Sequence, residues 1–379
     1  MTRKAVYKGL EDVVASESSI CFIDGRRGVL LYRGYDIRDL AEHSTYEEVA
    51  YLLLYGKLPN RAELNSFSAE LANCRELPQR LVVIMENFCR RLLPIDALRS
   101  CASLLKCYDP VEADRSVEAN ITRGIDLIAK FPTIVAYYYR INQGRRAIRP
   151  DKRLGHAENF LYMLHGKRPG RLDARIADLD MVLHAEHEFN ASTFAARVTA
   201  STLSDMYAAI TTAVGTLEGP LHGGAASAVV RMLEEIGDEN NVEKYVKDTL
   251  AKHGRIMGVG HRIYKTLDPR VVKIRELARQ AGERRGDLRY YKMLVRLEES
   301  IRKAGLNKHG IYPNVDLYTG AVYRNLGIPE ILFDPMFALG RIAGWVAHVV
   351  EQYGDNRLIR PVSYYTGKKG LKYVPIGKR

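Results

Sequence analysis

Gly219-Pro-Leu-His222-Gly-Gly224-Ala-Ala-Ser-Ala-Val-Val-Arg-Met-Leu-Glu-Glu-Ile236 joins a turn to a helix. One proline and three glycines mark the turn, and Val229, Leu233 and Ile236 recur at the spacing of one helical face. The construction returns twice downstream. Gly258-Val-Gly260-His261 leads through Asp268-Pro269-Arg270 into a helical run, and Pro313-Asn-Val-Asp316 leads into Leu317 to Leu326. Each segment sets a titratable side chain at a marked turn. Two histidines and a carboxylate held this way suit a reaction in which a proton leaves carbon while charge builds on a nearby oxygen.

Outward from these segments the pattern is helical almost throughout. Apolar periodicity punctuated by Gly and Pro predicts helices at Ala41 to Gly56, Arg61 to Cys74, Pro78 to Leu92, Val117 to Lys130, Pro132 to Asn142 and Leu172 to His187. Later helices carry start and stop signals: Asp268-Pro269 to Gly286, Asp287 to Gly305, and Asp334-Pro335 to Gly354. Gly144 to Arg153 reads as a basic loop. The one clear β signal is a hairpin, Ile20 to Tyr32, around Asp24-Gly25. The fold class is therefore mainly α with a small N-terminal β-hairpin.

A chain of 379 residues exceeds the size at which one core usually stops growing, so a large and a small domain with a cleft between them are expected. Residues 1–222 and 327–379 form the expected large domain, and 223–326 the expected small one. Ile331 to Val350 is apolar enough for a buried core helix. No apolar run reaches the length of a membrane span, and the start lacks a secretory signal, so a cytoplasmic protein is expected. Cys21, Cys74, Cys89, Cys101 and Cys107 show neither CxxC nor metal-ligand spacing and are read as buried thiols. Only four glutamines, beside many Arg and Tyr, hint at a heat-adapted source.

The net charge of +12 is unevenly placed. Between Arg262 and Lys308 there are 14 Lys or Arg against six Asp or Glu, a basic lobe that invites an anionic partner or forms a solvated helical face. A basic nucleic-acid-binding protein fits the charge, but the chain has no recognisable DNA or RNA module.

Each candidate has a plain structural alternative. At a helix start, a neutral His222 would donate to an oxyanion, or it would only cap or pack. His261 with Arg270 forms a carbonyl polariser beside a carboxylate clamp, or Arg270 pairs with a neighbouring acid. Asp316 is a general base or a helix N-cap. His184 and His187 face one side of a helix but lack HExxH form and a third ligand, so no metal is expected. A buried Arg341 needs an anionic partner, structural or substrate. Arg360 lies in a C-terminal segment with turn chemistry.

Together these segments resemble the citrate synthase family. Tyr32-Arg-Gly-Tyr-Asp-Ile37 is similar to its entry segment and His187-Glu-Phe-Asn190 to its first substrate histidine, and order and spacing agree from Ile20 to Gly367. The resemblance implies a helical two-domain subunit in a homodimer that condenses acetyl-CoA with oxaloacetate, with no permanently bound cofactor. It implies that Asp316 removes the methyl proton, His222 bonds the thioester oxygen and His261 polarises the ketone. It further implies that His187, Arg270 and Arg341 hold the dicarboxylate and that Arg360 reaches the partner's site. The backbone of Ile256, Met257, Gly258, Val259 and Gly260 matches the adenine-contacting loop, and the basic lobe would face the CoA phosphates. No N-terminal segment resembles the regulatory domain of longer relatives, so NADH control is not expected. The motifs also recur in 2-methylcitrate synthases, which take propionyl-CoA, and one methylene is worth only about 1 to 3 kcal/mol in an apolar pocket.

Overall fold

The structure is a computed structural model describing residues 6–11, 13–87, 92–109, 111–112 and 114–379. It is mainly helical, as expected. The β element has three antiparallel strands, Cys21–Asp24, Val29–Tyr32 and the two-residue Tyr35–Asp36, with Cys21 opposite Tyr32 and Asp24 opposite Val29. Its turn is pressed onto the segment that follows His261. Lys265 N–H donates to Gly25 O at 2.8 Å, and a Cβ on Gly25 would lie 2.2 Å from Ile263 O. Only glycine permits that approach.

The core is organised around the helix Phe333–Gly354, which contains the fully buried Trp345. Val117–Asn142, Arg171–His184, Ala191–Ser201, Met206–Leu217 and Tyr46–Tyr55 pack around it. Small residues let backbones close in: a Cβ on Gly124 would collide with Val346, and one on Gly340 would stand 2.9 Å from His184 Cβ. Ala225–Ile236, Val242–Ala251, Val271–Arg285, Arg289–Lys303 and Asp316–Asn325 pack chiefly on one another.

Several boundaries differ from expectation. The stretch Ala41 to Gly56 is two helices, Ile37–His43 and Tyr46–Tyr55, because Thr45 and Glu48 form a capping box that starts the second. Val117–Asn142 is continuous through Pro132. The ring costs one helical hydrogen bond, but Phe131, Thr133 and Ile134 are fully buried on either side and packing prevails. Arg171–His184 ends before His187. The helix expected from Pro78 to Leu92 is seen as Gln79–Asn87, and residues 88–91 lie outside the described residues. Arg61–Cys74 is as expected. Among the described cysteines only Cys101 is buried; Cys21 and Cys74 are half-buried and Cys107 is exposed, contrary to the expectation of burial, while Cys89 lies outside the described residues.

Past Gly354 the chain is extended and exposed, with Leu358, Val362, Tyr364, Tyr365, Leu371, Tyr373 and Ile376 in solvent. Among the described residues no helix is long and apolar enough to cross a membrane.

Candidate active site

His261 takes its tautomer from the turn that carries it. Its Nδ1 accepts the backbone N–H groups of Ile263 at 3.0 Å and Tyr264 at 3.2 Å, so a neutral ring carries its proton on Nε2. Burial and the nearby Arg270 guanidinium pull its pKa down to about 4. The imidazole is thus a neutral N–H donor across the physiological range. Its ring lies 5.2 Å from that of His187 and 4.8 Å from that of Tyr264.

His187 sits just past the helix Arg171–His184, on a turn where Glu188 takes a positive φ of 52°. The Asn190 amide braces that turn by donating to the carbonyls of His187 and Glu188, both at 3.3 Å. Burial, Arg270, His261 and Arg341 all hold His187 neutral, well below its ordinary pKa, and its Nε2 has no partner.

His222 is placed by the glycine-rich turn of residues 219–224: its N–H donates to Gly219 O, and Gly224 caps the helix Ala225–Ile236. The ring is anchored across the site by Ser192, whose Oγ lies 2.8 Å from Nε2 and whose backbone N–H donates to Nε2 at 3.3 Å. Nε2 is therefore an acceptor, leaving Nδ1–H as the ring's own donor. Burial first, then Arg341, lowers its pKa to about 4. Proximity to a helix start was expected to keep this ring neutral; burial and a guanidinium do so.

Asp316 is the first residue of Asp316–Asn325 and makes no capping bond. The capping alternative is therefore not the one the fold adopts. Burial raises its carboxyl above the ordinary range, and His184 and Arg270 pull the other way. The turn before it is bolted to the glycine loop: Asn314 N–H donates to Gly258 O at 3.0 Å, Asn314 Nδ2 to Gly260 O at 2.8 Å, and Gly260 N–H to Tyr312 O at 2.7 Å. Gly258 and Gly260 both have positive φ, and a Cβ on Gly258 would stand 2.7 Å from Leu317 Cα. Ile256 is buried below the loop, with Met257 and Val259 partly buried.

Two arginines complete the cluster. Arg270 forks onto Asp268 through Nε at 3.0 Å and Nη2 at 2.7 Å, both groups buried. Burial opposes the charge, but the Asp268 carboxylate outweighs it and holds the guanidinium above its ordinary value. Asp268 also accepts Val315 N–H at 3.3 Å and so joins Arg270 to the Asp316 turn. Arg341 is only 1% exposed, donates from Nε to His184 O at 2.8 Å and covers the Phe337 ring at 4.7 Å. Among the described residues it has no ion-pair partner, although Glu186 is its strongest charge neighbour.

The fold therefore unites His187, His222, His261, Asp316, Arg270 and Arg341. Arg360 is exposed. Sequence reasoning missed Ser192 as the brace of His222 and saw Asp268 only as a helix start. An N-cap motif, Asn190-Ala-Ser192, was the one local hint of the first. Among the described residues, no three His, Cys, Asp or Glu side chains are grouped to hold a metal. Two surface cavities of about 650 and 610 Å³ lie elsewhere and include none of the cluster.

Neutral N–H donors, a desolvated carboxylate and an unpaired buried guanidinium suit acid–base chemistry on an anionic carbonyl compound, on a mainly helical chain. The sequence pattern described as "Citrate synthase, C-terminal domain" matches residues 9–362, and the chain belongs to the citrate synthase family. It is 45% identical to a citrate synthase of Synechocystis, over 100% of this chain and 96% of that one. A 2-methylcitrate synthase of Shewanella oneidensis is more distant, 39% identical over 100% and 99% of the two chains. Among solved structures, citrate synthase from Pyrobaculum aerophilum superposes with a TM-score of 0.93 at 40% identity, covering 99% of this chain and 95% of that one. The ternary complex of carboxymethyl coenzyme A and oxaloacetate with citrate synthase from Thermoplasma acidophilum superposes at 0.92, with 33% identity and full coverage of both chains.

Proposed function

We propose that the protein is a citrate synthase that condenses acetyl-CoA with oxaloacetate and water to give citrate and CoA. The observation that carries the reading is the pair of fixed tautomers: His261 offers Nε2–H and His222 offers Nδ1–H, each neutral and each locked by backbone donors on its other nitrogen. Asp316 removes a methyl proton from acetyl-CoA while His222 donates to the thioester oxygen, so charge does not accumulate on a weak carbon acid. The enol carbon attacks the oxaloacetate ketone, whose oxygen takes a hydrogen bond from His261. Water then cleaves citryl-CoA to citrate and CoA.

His187, Arg270 and Arg341 bind the oxaloacetate carboxylates; the unpaired charge of Arg341 supports this role. Residues 256–260 receive the adenine, and the basic lobe from Arg262 to Lys308 meets the phosphates. Acetyl-CoA is a co-substrate, and no cofactor stays bound. Residues 1–222 with 327–379 form a large domain and 223–326 a small one that closes over oxaloacetate, a division supported by the mutual packing of the helices in 225–325. The exposed apolar C-terminal segment supports a homodimer in which Arg360 enters the partner's site. The site needs neither nucleic acid nor membrane, and the cytoplasm supplies both substrates.

Thiol release from acetyl-CoA with oxaloacetate tests the reaction, and absence of CoA across temperatures would reject it. Greater kcat/KM with propionyl-CoA would assign a 2-methylcitrate synthase instead. Asp316→Ala and His222→Ala should each lower kcat at least about 100-fold with the fold intact by circular dichroism. Near-normal turnover in either removes that residue from the mechanism.

A further inference from the structure

The β-hairpin meets no substrate in the proposed reaction, yet each of its ends is fixed to a turn that carries a site histidine. At the open end, where Tyr32 lies opposite Cys21, the Tyr32 side chain is fully buried. Its hydroxyl donates to Glu186 O at 2.9 Å and accepts Glu186 N–H at 3.3 Å. The Glu186 carbonyl belongs to the planar peptide that carries the His187 N–H, so the phenol holds the start of the His187 turn.

At the other end, past the pair Asp24 and Val29, Gly25 O accepts Lys265 N–H at 2.8 Å, and the absence of a Cβ on Gly25 leaves room for Ile263 O. Gly28, at a φ of 65°, comes almost as close: a Cβ there would stand 2.9 Å from Leu267 O. The two glycines thus press on residues 263–267, the stretch between His261 and the Asp268 that forks Arg270. These residues also hold the imidazole. Ile263 and Tyr264 supply the N–H groups on His261 Nδ1, and the Tyr264 ring lies 4.8 Å from that of His261 and 5.6 Å from that of His187.

Four α-helices separate His187 from His261 in sequence, yet their rings are 5.2 Å apart and the hairpin is bonded to both turns. Strand pairing fixes its span, since three residues at about 3.3 Å each lie between Val29 and Tyr32. Asp24 Oδ1 keeps the tip in shape by accepting Arg26 N–H at 3.0 Å and Arg27 N–H at 2.9 Å.

We propose that the hairpin is a positioning clamp for the two histidines that meet oxaloacetate, with Gly25 setting His261 and Tyr32 setting His187. The inference rests on the oxaloacetate roles proposed for both rings. Neither Gly25 nor Tyr32 touches the reacting atoms; each acts through a backbone turn. To present Nε2–H to a ketone, His261 must keep both donors on Nδ1, and the hairpin holds the segment that supplies them.

Three substitutions on the hairpin separate positioning from general support. Gly25→Ala drives a Cβ into Ile263 O and should lower kcat/KM for oxaloacetate about 10- to 100-fold. Tyr32→Phe removes only the hydroxyl and should raise KM for oxaloacetate about fivefold with kcat within twofold. Phe22→Ala, at an exposed position of the same hairpin, should change neither. Wild-type kinetics in Gly25→Ala or Tyr32→Phe would overturn the clamp, and so would a loss in Phe22→Ala equal to that in Gly25→Ala.

The tautomer supplies a readout that stability alone does not move. In wild type the ¹⁵N resonances of His261 should be those of a ring protonated on Nε2 only, and in Gly25→Ala they should shift toward a mixture of the two tautomers. Unchanged resonances reject the role of Gly25. Should Gly25→Ala not fold, Asp24→Ala decides, because it loosens the tip by removing the acceptor of Arg26 and Arg27. It should move the same resonances and raise KM for oxaloacetate about threefold, and unchanged values of both would overturn the proposal. If the wild-type chain releases no CoA, the reading of the reaction falls first, and the His261 resonances still test the hairpin.

Discussion

Arg197 and Arg341 are buried alike, 2% and 1% exposed, on two helices that pack together, yet their surroundings are opposite. Arg197 is fully answered: Nη1 meets Glu351 at 2.7 Å and His348 Nδ1 at 3.1 Å, and Nε meets Gln352 at 3.1 Å. His348 passes the network on to the buried Glu186 at 3.0 Å. Arg341 has one carbonyl and an aromatic face. A guanidinium buried with its carboxylate is architecture, whereas one buried without it fits the role proposed for Arg341, a charge kept for an anion that arrives later.

The sharpest way to break this contrast is to substitute methionine at each position. Arg341→Met should lower kcat/KM for oxaloacetate by about 100- to 1000-fold, the loss of one charged contact in a desolvated site, with thermal stability equal or higher. A loss of stability with unchanged kinetics would make Arg341 structural. Arg197→Met should do the reverse: about 3 to 5 kcal/mol of stability lost in denaturant, because Glu351 and His348 lose their shared cation, with kcat per folded molecule nearly unchanged. Equal activity loss in the two variants would erase the distinction.

A smaller effect extends the comparison to histidine. His156 is buried with both ring nitrogens unpartnered, stacked on Tyr46 at 5.1 Å, and burial lowers its pKa to about 3. Between about 6.5 and about 3 the unfolded chain binds a proton that the folded one refuses, so this contribution is intact above that window and is lost as pH falls. His156→Phe should keep the stack and remove the penalty, sparing about 2 kcal/mol of the loss between pH 7 and pH 5. Identical losses in denaturant titrations at the two pH values would show that His156 does not titrate in this way.

Much of the site was legible because its parts are punctuated locally. The glycines and prolines around His222, His261 and Asp316 mark turns whatever surrounds them. Tertiary features were not legible. The break at Ser44-Thr45 is the exception, since Thr45-Tyr-Glu-Glu48 is a local capping-box pattern that was passed over under the apolar periodicity on either side, while Pro132 suggested a break that packing overrides. Asp316 has the sequence dress of a cap, and only the fold shows that its carboxylate is left unused. Arg341 could be flagged as a charge in an apolar helix, but its lack of a carboxylate is a fact about neighbours more than 100 residues away.

The stitching of Asn314 to Gly258 and Gly260 makes one splint of the loop proposed to receive the nucleotide and the turn that carries Asp316, the proposed base. Whatever grips the far end of a long thioester therefore also trues the reactive end. Truncated acyl thioesters without the nucleotide should accordingly turn over slowly even when saturating, since occupancy alone would not seat the carboxylate.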